Sequence, residues 1–332
     1  MKEILHHLFE HKTLSKTEAT EILKNIALGK YNFSQIAAFM TVYLMRSITV
    51  EELEGFRDAM LDLCIALDLS AYKPIDLCGT GGDGKNTFNI STLASFVVAG
   101  AGQAVAKHGN YGVSSVCGSS NVLEYLGVKF NNDTAHIKEQ IEEANICILH
   151  APLFHPALKN VAPIRRELGV KTFFNMLGPM VNPAFPKNQM VGVFNLELAR
   201  LYAYLYQKTD KNFCIVHSLD GYDEISLTEK FKLFSRNQEQ LAEPSSFVDE
   251  KLHFEQIYGG ATVAEAAEIF MNVLQNQCTE AQKNVVIANA AIALQTAQAH
   301  LSLEECKAQA KESLESGRAL ACFRKLQNIR KD

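Results

Sequence analysis

The sequence lacks the marks of several large protein classes. None of its eight cysteines stands in a C-x-x-C pair, so neither a zinc site nor a disulfide framework is indicated. The formal net charge is −5 over 332 residues, which does not suggest a broad nucleic-acid surface. Residues 1–8 do not resemble a signal peptide, and no apolar run reaches membrane-spanning length. We therefore expect a cytoplasmic protein with reduced thiols and no membrane partner.

Acidic residues are also missing from one long stretch of the chain. No Asp or Glu occurs from Gly84 to Leu123, whereas Lys85 and Lys107 both lie there. Two loops rich in glycine and hydroxyl residues lie in or beside this stretch. This local excess of positive charge suits an anionic ligand.

The first of these loops, the glycine loop (residues 79–89), follows a short apolar segment at 75–77. We predict a buried strand, then the loop, then a helix that begins at Ser91 or Thr92. Glycines allow the backbone N–H groups to turn inward, and a helix N-terminus adds unpaired donors and a partial positive charge. The pattern therefore predicts a binding site for a phosphorylated ligand.

The second loop (residues 107–120) follows another short apolar segment at 104–106. Its hydroxyls, its glycines and Lys107 suit an anion with several oxygens. The simpler interpretation is a polar surface connection, which is what most such stretches are. Two loops of this kind, each after a strand and before a helix, favour the anion site.

Two known phosphate motifs match the glycine loop only in part. Gly79 to Gly84 has the G-x-G-x-x-G spacing, but the predicted helix starts later and no acidic residue stands in the window required for a ribose. Gly79 to Asn86 approaches the P-loop, but Asn86 replaces the hydroxyl that binds Mg²⁺. We reject both.

The hydrophobic pattern divides the chain into two parts. Residues 1–68 read as all helix, with capping boxes at Ser15/Glu18 and Thr49/Glu52 and a further N-cap at Ser34. From Lys73 onward, strand and helix patterns alternate, which predicts an α/β fold with a mostly parallel sheet. The predicted strands are 75–77, 104–106, 146–149, 191–194 and 213–217. Because ligands bind at the carboxyl ends of such strands, both loops should lie at the same edge of the sheet.

Two further features carry candidate chemistry. Asp223 and Glu224 lie in an acidic loop (residues 219–226) after a predicted strand, and their oxygens suit a hard cation. A solvated acidic loop is the alternative, but the neighbouring phosphate site favours Mg²⁺. Arg165 lies in a predicted helix, where it can pair with Glu167 or Glu124 on the surface or hold a substrate carboxylate with both arms of its guanidinium.

The motifs resemble those of the anthranilate phosphoribosyltransferase family over nearly the whole chain. They are Gly-Thr-Gly-Gly-Asp at 79–83, Asn-Ile-Ser-Thr at 89–92, Lys-His-Gly-Asn at 107–110, Pro-x-Arg-Arg-Glu-Leu-Gly at 163–169 and Asp-Glu-Ile-Ser at 223–226. The resemblance implies transfer of a 5-phosphoribosyl group from phosphoribosyl pyrophosphate to anthranilate. The products are N-(5-phosphoribosyl)anthranilate and pyrophosphate, in the second step of tryptophan biosynthesis from chorismate.

The resemblance also implies roles for individual residues. Anthranilate would contact Gly79, Asn110, Arg165 and His155, with Pro156 beside it. Magnesium, expected as two ions, would be held by Ser91, Asp223 and Glu224. Lys107 would stabilise charge on the departing pyrophosphate, and no residue is expected to act as an acid or base. Phosphoribosyl pyrophosphate would be bound by Gly79, Gly81, Gly82, Asp83, Thr87, Asn89, Ile90, Ser91, Thr92, Lys107, His108, Gly109, Ser115 and Ser119.

Apolar segments with Pro and Gly punctuation after residue 156 predict short helices that rejoin the N-terminal lobe, so we expect a discontinuous lobe. The resemblance also implies a homodimer. The lobe would comprise 1–68 joined by about 157–183, and the remainder of 69–332 would form the phosphoribosyl-transfer domain. The exposed part of a Phe39/Tyr43 stripe is a candidate dimer contact. The second loop departs from the family's usual residues at Tyr111-Gly112, Val116, Cys117 and Asn121, which makes it less basic.

Two other functions remain open. Pyrimidine nucleoside phosphorylases share the fold and a similar Lys-His loop, but they carry an extra C-terminal domain and need no Asp-Glu metal pair. Non-catalytic relatives bind nucleic acid, and they should show a basic groove and eroded motifs. Here the Gly-Thr-Gly-Gly-Asp and Asp-Glu motifs are intact and the net charge is negative.

Overall fold

The computed structural model describes residues 1–112 and 117–329. The helices of the described chain are α1 (Lys2–Phe9), α2 (Lys16–Ala27), α3 (Phe33–Met45), α4 (Val50–Asp62), α5 (Ile90–Gly100), α6 (Ser119–Tyr125), α7 (Thr134–Ala144), α8 (Ala151–Phe154), α9 (Ala162–Leu168), α10 (Phe174–Leu177), α11 (Leu196–Gln207), α12 (Val263–Leu274), α13 (Glu280–Ala297), α14 (Leu303–Glu315) and α15 (Arg318–Asn328). The strands are β1 (Ile75–Gly79), β2 (Val105–Gly109), β3 (Ile146–His150), β4 (Asn188–Gly192), β5 (Asn212–Ser218), β6 (Phe231–Ser235) and β7 (Glu239–Ala242). Within this part of the chain, every helix is too short or too polar to cross a bilayer.

The chain forms two compact units. The first is all helical and comprises Met1–Leu67 and Ala151–Phe185. The second comprises Asp68–His150 and the chain from Pro186 onward, and it contains the sheet. The predicted fold class, a helical N-terminal domain with a larger, mostly parallel α/β domain, is confirmed.

Local capping signals set the ends of the helices in the first unit. The capping boxes Ser15/Glu18 and Thr49/Glu52 are both present, as predicted. The predicted cap at Ser34 is wrong. The side chain of Asn32 accepts the N–H of Gln35 at 2.9 Å, so α3 begins at Phe33 and Ser34 lies inside its first turn.

Phe39 and Tyr43 lie in an aromatic cluster inside the first unit. Their exposed fractions are 0% and 7%, because both rings pack edge-on against Phe56 and Phe173. Phe56 and Phe173 stack with their centroids 4.5 Å apart. Phe39 and Tyr43 themselves therefore offer no surface for a dimer contact, and Leu44 is the exposed part of this stripe. The exposed apolar side chains of α3 are Phe33, Leu44 and Met45.

The sheet has the order β3-β2-β1-β4-β5-β6-β7. The strands β1 to β5 run parallel, whereas β6 and β7 continue the sheet antiparallel. All five predicted strands exist, although the fourth spans Asn188–Gly192 rather than 191–194. Gly192 is the last residue of β4 that pairs with β1 and β5, where its partners are Gly79 and Val216. The strand therefore ends earlier than its apolar residues suggest. The strands β6 and β7 were not predicted from the sequence.

The strand order changes direction between β1 and β4. From β1 the chain proceeds to β2 and β3 on one side and then returns to place β4 on the other. This is a topological switch point, and open α/β sheets bind ligands in the crevice at the carboxyl ends of such strands. The last residues of these strands, Gly79 and Gly192, are register partners.

Candidate active site

The glycine loop begins at this crevice. Gly81, Gly82 and Gly84 have φ angles of +61°, +76° and +73°, a left-handed backbone that a residue with a Cβ adopts only with strain. The N–H of Thr80 donates to the carbonyl of Gly192 at 2.9 Å, which ties the loop to the end of β4. The loop therefore has the local conformation that the sequence predicts.

A distant segment, residues 257–260, supports the far end of the glycine loop. Phe88 donates its N–H to Ile257, Gly259 donates its N–H to Asn86 at 2.8 Å, and Thr87 forms a β-bridge with Tyr258. The sequence analysis did not identify this segment. Its Gly-Gly pair was the available signal, because a Cβ on Gly259 would lie only 2.3 Å from the Thr87 carbonyl oxygen.

The helix after the glycine loop starts one residue earlier than predicted. Asn89 is the N-cap residue and α5 begins at Ile90, rather than at Ser91 or Thr92. The N–H of Ser91 donates to Glu224 Oε1 at 3.3 Å, so a carboxylate lies at the positive end of α5. Ile90 and Thr92, both predicted to bind the donor, are only 1% exposed.

The start of the second loop coincides with the end of β2. Lys107 is 2% exposed, and its Nζ donates to the carbonyl of Leu77 at 2.6 Å. Burial lowers the pKa of Lys107. The N–H of His108 donates to Asp76 at 3.1 Å. A Cβ on Gly109 would lie 2.7 Å from Ser119 Oγ, so glycine allows the two ends of the loop to approach closely.

Several contacts hold the described parts of the second loop, residues 110–112 and 117–120. The hydroxyl of Tyr111 donates to Glu124 at 3.2 Å. Asn121 Oδ1 accepts the N–H groups of Gly112 and Gly118 at 2.9 and 3.0 Å, which fastens both stems of the loop. Tyr111 packs edge-on against the ring of His150, with centroids 4.7 Å apart. Two residues at which this loop departs from the family, Tyr111 and Asn121, thus build a defined structure. Ser115 lies outside the described residues.

Asn110 and Ser119 meet inside the second loop. Asn110 is exposed, and its Oδ1 accepts the N–H of Tyr111 at 2.8 Å. The hydroxyl of Ser119 donates to the Asn110 carbonyl at 3.3 Å. Asn89 of the glycine loop donates its side-chain N–H to the Cys117 carbonyl at 3.2 Å. This bond brings the two predicted anion loops together at one edge of the sheet.

The acidic loop joins them there. Asp223 is 7% exposed, its Oδ2 accepts the N–H of Gly81 at 2.7 Å, and it shares a side-chain hydrogen bond with Asp83. Burial and the charges of Glu224 and Asp83 raise the pKa of Asp223 well above its ordinary value. Burial also raises the pKa of Glu224 to about 7, against the opposing effect of Lys107. The cation of Lys85 lies 4.7 Å from the centre of the Tyr222 ring.

These carboxylates fit a magnesium site. Asp223 and Glu224 are adjacent oxygen donors, and burial raises the pKa of both, so a bound cation would offset the cost of ionising them there. Within residues 1–112 and 117–329, no group of three or more His, Cys, Asp or Glu side chains forms a metal cage. Magnesium typically binds one or two carboxylates together with substrate phosphates, so a partial donor set beside a phosphate loop suits it.

The remaining predicted residues lie in the first unit. Arg165 donates to Asn175 Oδ1 at 3.3 Å, and its guanidinium lies 5.5 Å from the centre of the Phe174 ring. Burial lowers the pKa of Arg165. These two partners are neutral, in contrast to the surface ion pair considered above. His155 is 2% exposed, and Pro156 begins the short 3₁₀ helix Pro156–Asn160.

Comparison with known sequences matches both units. The family model for the glycosyl transferase family a/b domain matches residues 71–320, and the model for its helical bundle domain matches residues 2–64. The chain is 63% identical over 329 residues to an anthranilate phosphoribosyltransferase of Christiangramia forsetii and 62% identical to one of Flavobacterium johnsoniae. Each match covers 99% of both chains.

Solved structures agree with these matches. The anthranilate phosphoribosyltransferase of Thermus thermophilus superposes with a TM-score of 0.91 at 31% identity, covering 98% of both chains. The Saccharomyces cerevisiae enzyme in complex with PRPP and Mg gives a TM-score of 0.91 at 27% identity, covering 98% of this chain and 96% of that one. The same yeast enzyme in complex with 4-fluoroanthranilate gives a TM-score of 0.87 at 26% identity, with the same coverage.

Proposed function

Because the chain belongs to the anthranilate phosphoribosyltransferase family, we propose that its three loops form the donor site for transfer of a phosphoribosyl group to anthranilate. The chain is an enzyme that transfers the 5-phosphoribosyl group of phosphoribosyl pyrophosphate to the amine of anthranilate. The products are N-(5-phosphoribosyl)anthranilate and pyrophosphate, in the second step of tryptophan biosynthesis from chorismate. The observation that carries the site assignment is the meeting of the glycine and acidic loops at Gly81 and Asp223.

The donor's phosphates are assigned to the glycine and second loops. The glycine N–H groups, the start of α5 and the hydroxyls of Thr87 and Ser119 suit a ligand with many anionic oxygens. The buried side chains of Ile90 and Thr92 leave these two residues to act through the backbone. The donor set is Gly79, Gly81, Gly82, Asp83, Thr87, Asn89, Ile90, Ser91, Thr92, Lys107, His108, Gly109, Ser115 and Ser119.

Magnesium use is supported by the yeast homologue, whose structure contains PRPP and Mg. We assign two ions to the bound donor, held by Ser91, Asp223 and Glu224. When bound, Mg²⁺ neutralises negative charge on the pyrophosphate leaving group. The protein's own part is to hold the carboxylates in place beside the phosphate loop.

The reaction requires little proton transfer from the protein. The bond between C1 of the ribose and the pyrophosphate oxygen breaks, a bond from C1 to the amine nitrogen forms, and the amine loses a proton to solvent. An aromatic amine is already neutral at pH 7, so no strong base is needed. Backbone N–H groups of the glycine loop stabilise the departing charge, and placing the amine near C1 supplies much of the remaining rate.

Lys107 acts in this scheme through its buried charge. Its Nζ is bonded to the Leu77 carbonyl and is nearly inaccessible to solvent, so it contributes to the field at the site rather than as a mobile phosphate ligand. Its charge also acts on Glu224, where it favours the ionised carboxylate.

The acceptor is assigned to the residues that the family resemblance names. Arg165 supplies a planar, always charged fork that matches a carboxylate, and its neutral partners leave its charge for an anionic substrate. Asn110 and Gly79 would also contact the acceptor. His155 and Pro156 would line its aromatic ring.

Three further assignments complete the proposal. We assign a cytoplasmic location and a homodimer, with the dimer contact on the helical unit. The exposed Phe33, Leu44 and Met45 of α3 are the natural candidates for that contact. No nucleic-acid partner is assigned, because the net charge is negative and the donor motifs are intact.

The loss of anthranilate fluorescence on adding phosphoribosyl pyrophosphate tests the function. We expect a loss that depends on Mg²⁺ and stops on addition of a chelator. If the folded protein binds phosphoribosyl pyrophosphate but leaves the fluorescence unchanged, the donor site stands and the acceptor is another amine.

A further inference from the structure

The long helix α13 carries a buried amide side chain that bonds to the acidic loop. Asn289 is 1% exposed and lies in the middle of this 18-residue helix, among apolar side chains that form the core of the second unit. Its Oδ1 accepts the N–H of Ile225 at 3.1 Å, and its Nδ2 donates to the carbonyls of Ile225 at 2.9 Å and Val285 at 2.8 Å. One side chain thus binds both backbone groups of Ile225.

This pairing fixes the backbone directly after the two carboxylates. Ile225 follows Glu224, and its own side chain is completely buried. A bidentate amide restrains both position and orientation of a peptide, as a neighbouring strand does. Through Asn289, a loop residue is held to a long core helix although the two are 64 residues apart in the sequence.

The two preceding residues are restrained as well. The hydroxyl of Ser218 donates to the carbonyl of Glu224 at 2.6 Å. The carbonyl oxygen of Asp223 lies so close to Gly192 that a Cβ there would be 1.5 Å away. Three consecutive residues, 223 to 225, are therefore each anchored through the backbone, which leaves their carboxylates to meet a ligand.

We propose that Asn289 is a positioning residue for the transfer reaction, which holds the acidic loop so that Asp223 and Glu224 are already in place when the magnesium-bound donor arrives. This inference rests on the proposed function. An apolar side chain of the same size would fill the space, but it would leave the N–H and the carbonyl of Ile225 without the partner that holds them. Outer groups that orient metal ligands change metal affinity by about 10–100-fold when they are removed.

The test compares Asn289→Leu with the wild-type enzyme in two measurements. The first is calorimetric titration of Mg²⁺ into protein with phosphoribosyl pyrophosphate and no anthranilate, which reads binding without activity. The second is the KM for anthranilate. We expect Asn289→Leu to raise the Mg²⁺ concentration at half-saturation by about 10-fold or more. The KM for anthranilate should stay within about twofold, because that substrate does not bind the loop.

Gln140→Leu is the matched control. Gln140 is another buried amide, 2% exposed, whose Oε1 accepts the N–H of Ile148 in β3 at 3.2 Å. Its replacement removes a comparable hydrogen bond away from the acidic loop. We expect it to lower the melting temperature as Asn289→Leu does, but to leave the Mg²⁺ half-saturation unchanged. Equal effects of the two variants on Mg²⁺ would overturn the inference, because they would report a general loss of stability.

If Asn289→Leu does not fold, Ser218→Ala tests the anchoring of the acidic loop instead. It removes the hydroxyl that holds the Glu224 carbonyl and that also accepts from the N–H and the hydroxyl of Ser226. We expect the Mg²⁺ concentration at half-saturation to rise several-fold. If a folded Asn289→Leu or Ser218→Ala variant reaches half-saturation at the wild-type Mg²⁺ concentration, the loop is not anchored as proposed. The proposed function would be unaffected by that result. A wild-type protein that binds the donor equally with and without Mg²⁺ contradicts the proposed metal site itself.

Discussion

The carbonyl oxygen of Asp223 lies directly against the α-carbon of Gly192, where a Cβ would approach it to 1.5 Å. Gly192 ends β4 and is the register partner of Gly79 at the end of β1. A Cβ on Gly79 would lie 2.4 Å from Asp223 Oδ2. The two central strands thus end in glycines because the acidic loop packs onto both of them.

Gly192→Ala should displace the acidic loop. A new Cβ cannot share space with a backbone oxygen, so Asp223 must move, and overpacking of this kind costs about 1–3 kcal/mol of folding free energy. We expect at least about a 10-fold loss of kcat/KM for phosphoribosyl pyrophosphate. Gly178→Ala is the control, because its Cβ would meet nothing within 4 Å. Unchanged donor kinetics in Gly192→Ala would contradict the contact.

Arg165→Ala should act on the acceptor alone. If the guanidinium holds the anthranilate carboxylate, its loss removes a charge-assisted pair and should raise the KM for anthranilate by about 10-fold or more. Arg165→Lys should recover little, because an ammonium cannot reproduce the planar fork. The KM for phosphoribosyl pyrophosphate serves as the internal control and should change little. An unaltered anthranilate KM would remove Arg165 from the acceptor site.

Magnesium binding should depend on pH through the acidic loop. The pKa of Glu224 is raised to about 7 and that of Asp223 is also raised, so both carboxyls hold protons that a metal must displace. As the pH rises through about 7, Mg²⁺ half-saturation in the presence of the donor should occur at lower concentration. Glu224→Gln removes this titrating group and should flatten the dependence. A pH-independent midpoint in the wild type would count against the raised pKa.

The same shifts have a consequence for folding in the absence of metal. A carboxyl whose pKa is higher in the folded protein than in the unfolded chain stabilises the fold below its unfolded pKa. That contribution is lost as the pH rises through the folded value. For Glu224, the loss should fall between its ordinary pKa of 4.5 and about 7. Glu224→Gln should therefore stabilise the metal-free protein at about pH 8 relative to the wild type in urea unfolding.

The helical unit should depend on one buried carboxylate, Glu52. It is 0% exposed and accepts bonds from Arg46, Tyr43 and the backbone N–H groups of Leu14 and Thr49. Burial favours the neutral acid, but these hydrogen bonds prevail and lower the pKa of Glu52. Its stabilising effect is therefore present above its ordinary pKa of 4.5 and declines as the pH falls further.

Glu52→Gln leaves Arg46 without its charged partner. We expect the free energy of unfolding to fall by about 3 kcal/mol, which lowers the urea midpoint. Removing one member of a buried ion pair leaves the other charge buried without a partner. Glu10→Gln, at an exposed ion pair with Lys12, is the matched control and should change the midpoint little. If both variants unfold at the same urea concentration, the network around Glu52 does not support the unit.

The sequence predicted those features that depend on near neighbours. The strand and glycine loop around Gly81 and the capping boxes at Ser15 and Thr49 were found where local patterns indicated them, and the helix after the loop begins one residue before the predicted range. The motifs of the acidic loop could also be recognised, because Asp223 and Glu224 are adjacent in the chain.

Features that depend on distant contacts could not be predicted. The support of Thr87 by Tyr258 and the bonds of Asn289 to Ile225 join segments that are far apart in the sequence. The apolar stripe on α3 predicts that Phe39 packs against another apolar surface. Only the tertiary structure shows that Phe39 contacts Phe173, and not a second chain. Burial of Lys107 likewise depends on the Leu77 carbonyl of a neighbouring strand.

The central claim is that a single magnesium-dependent donor site lies where the glycine and acidic loops meet. Calorimetric binding of phosphoribosyl pyrophosphate, with Mg²⁺ and with chelator, to the wild type and to an Asp223→Asn/Glu224→Gln variant tests it most directly. We predict tight binding only to the wild type with Mg²⁺, and weak, metal-independent binding to the variant. Equal affinity in all four combinations would contradict the account.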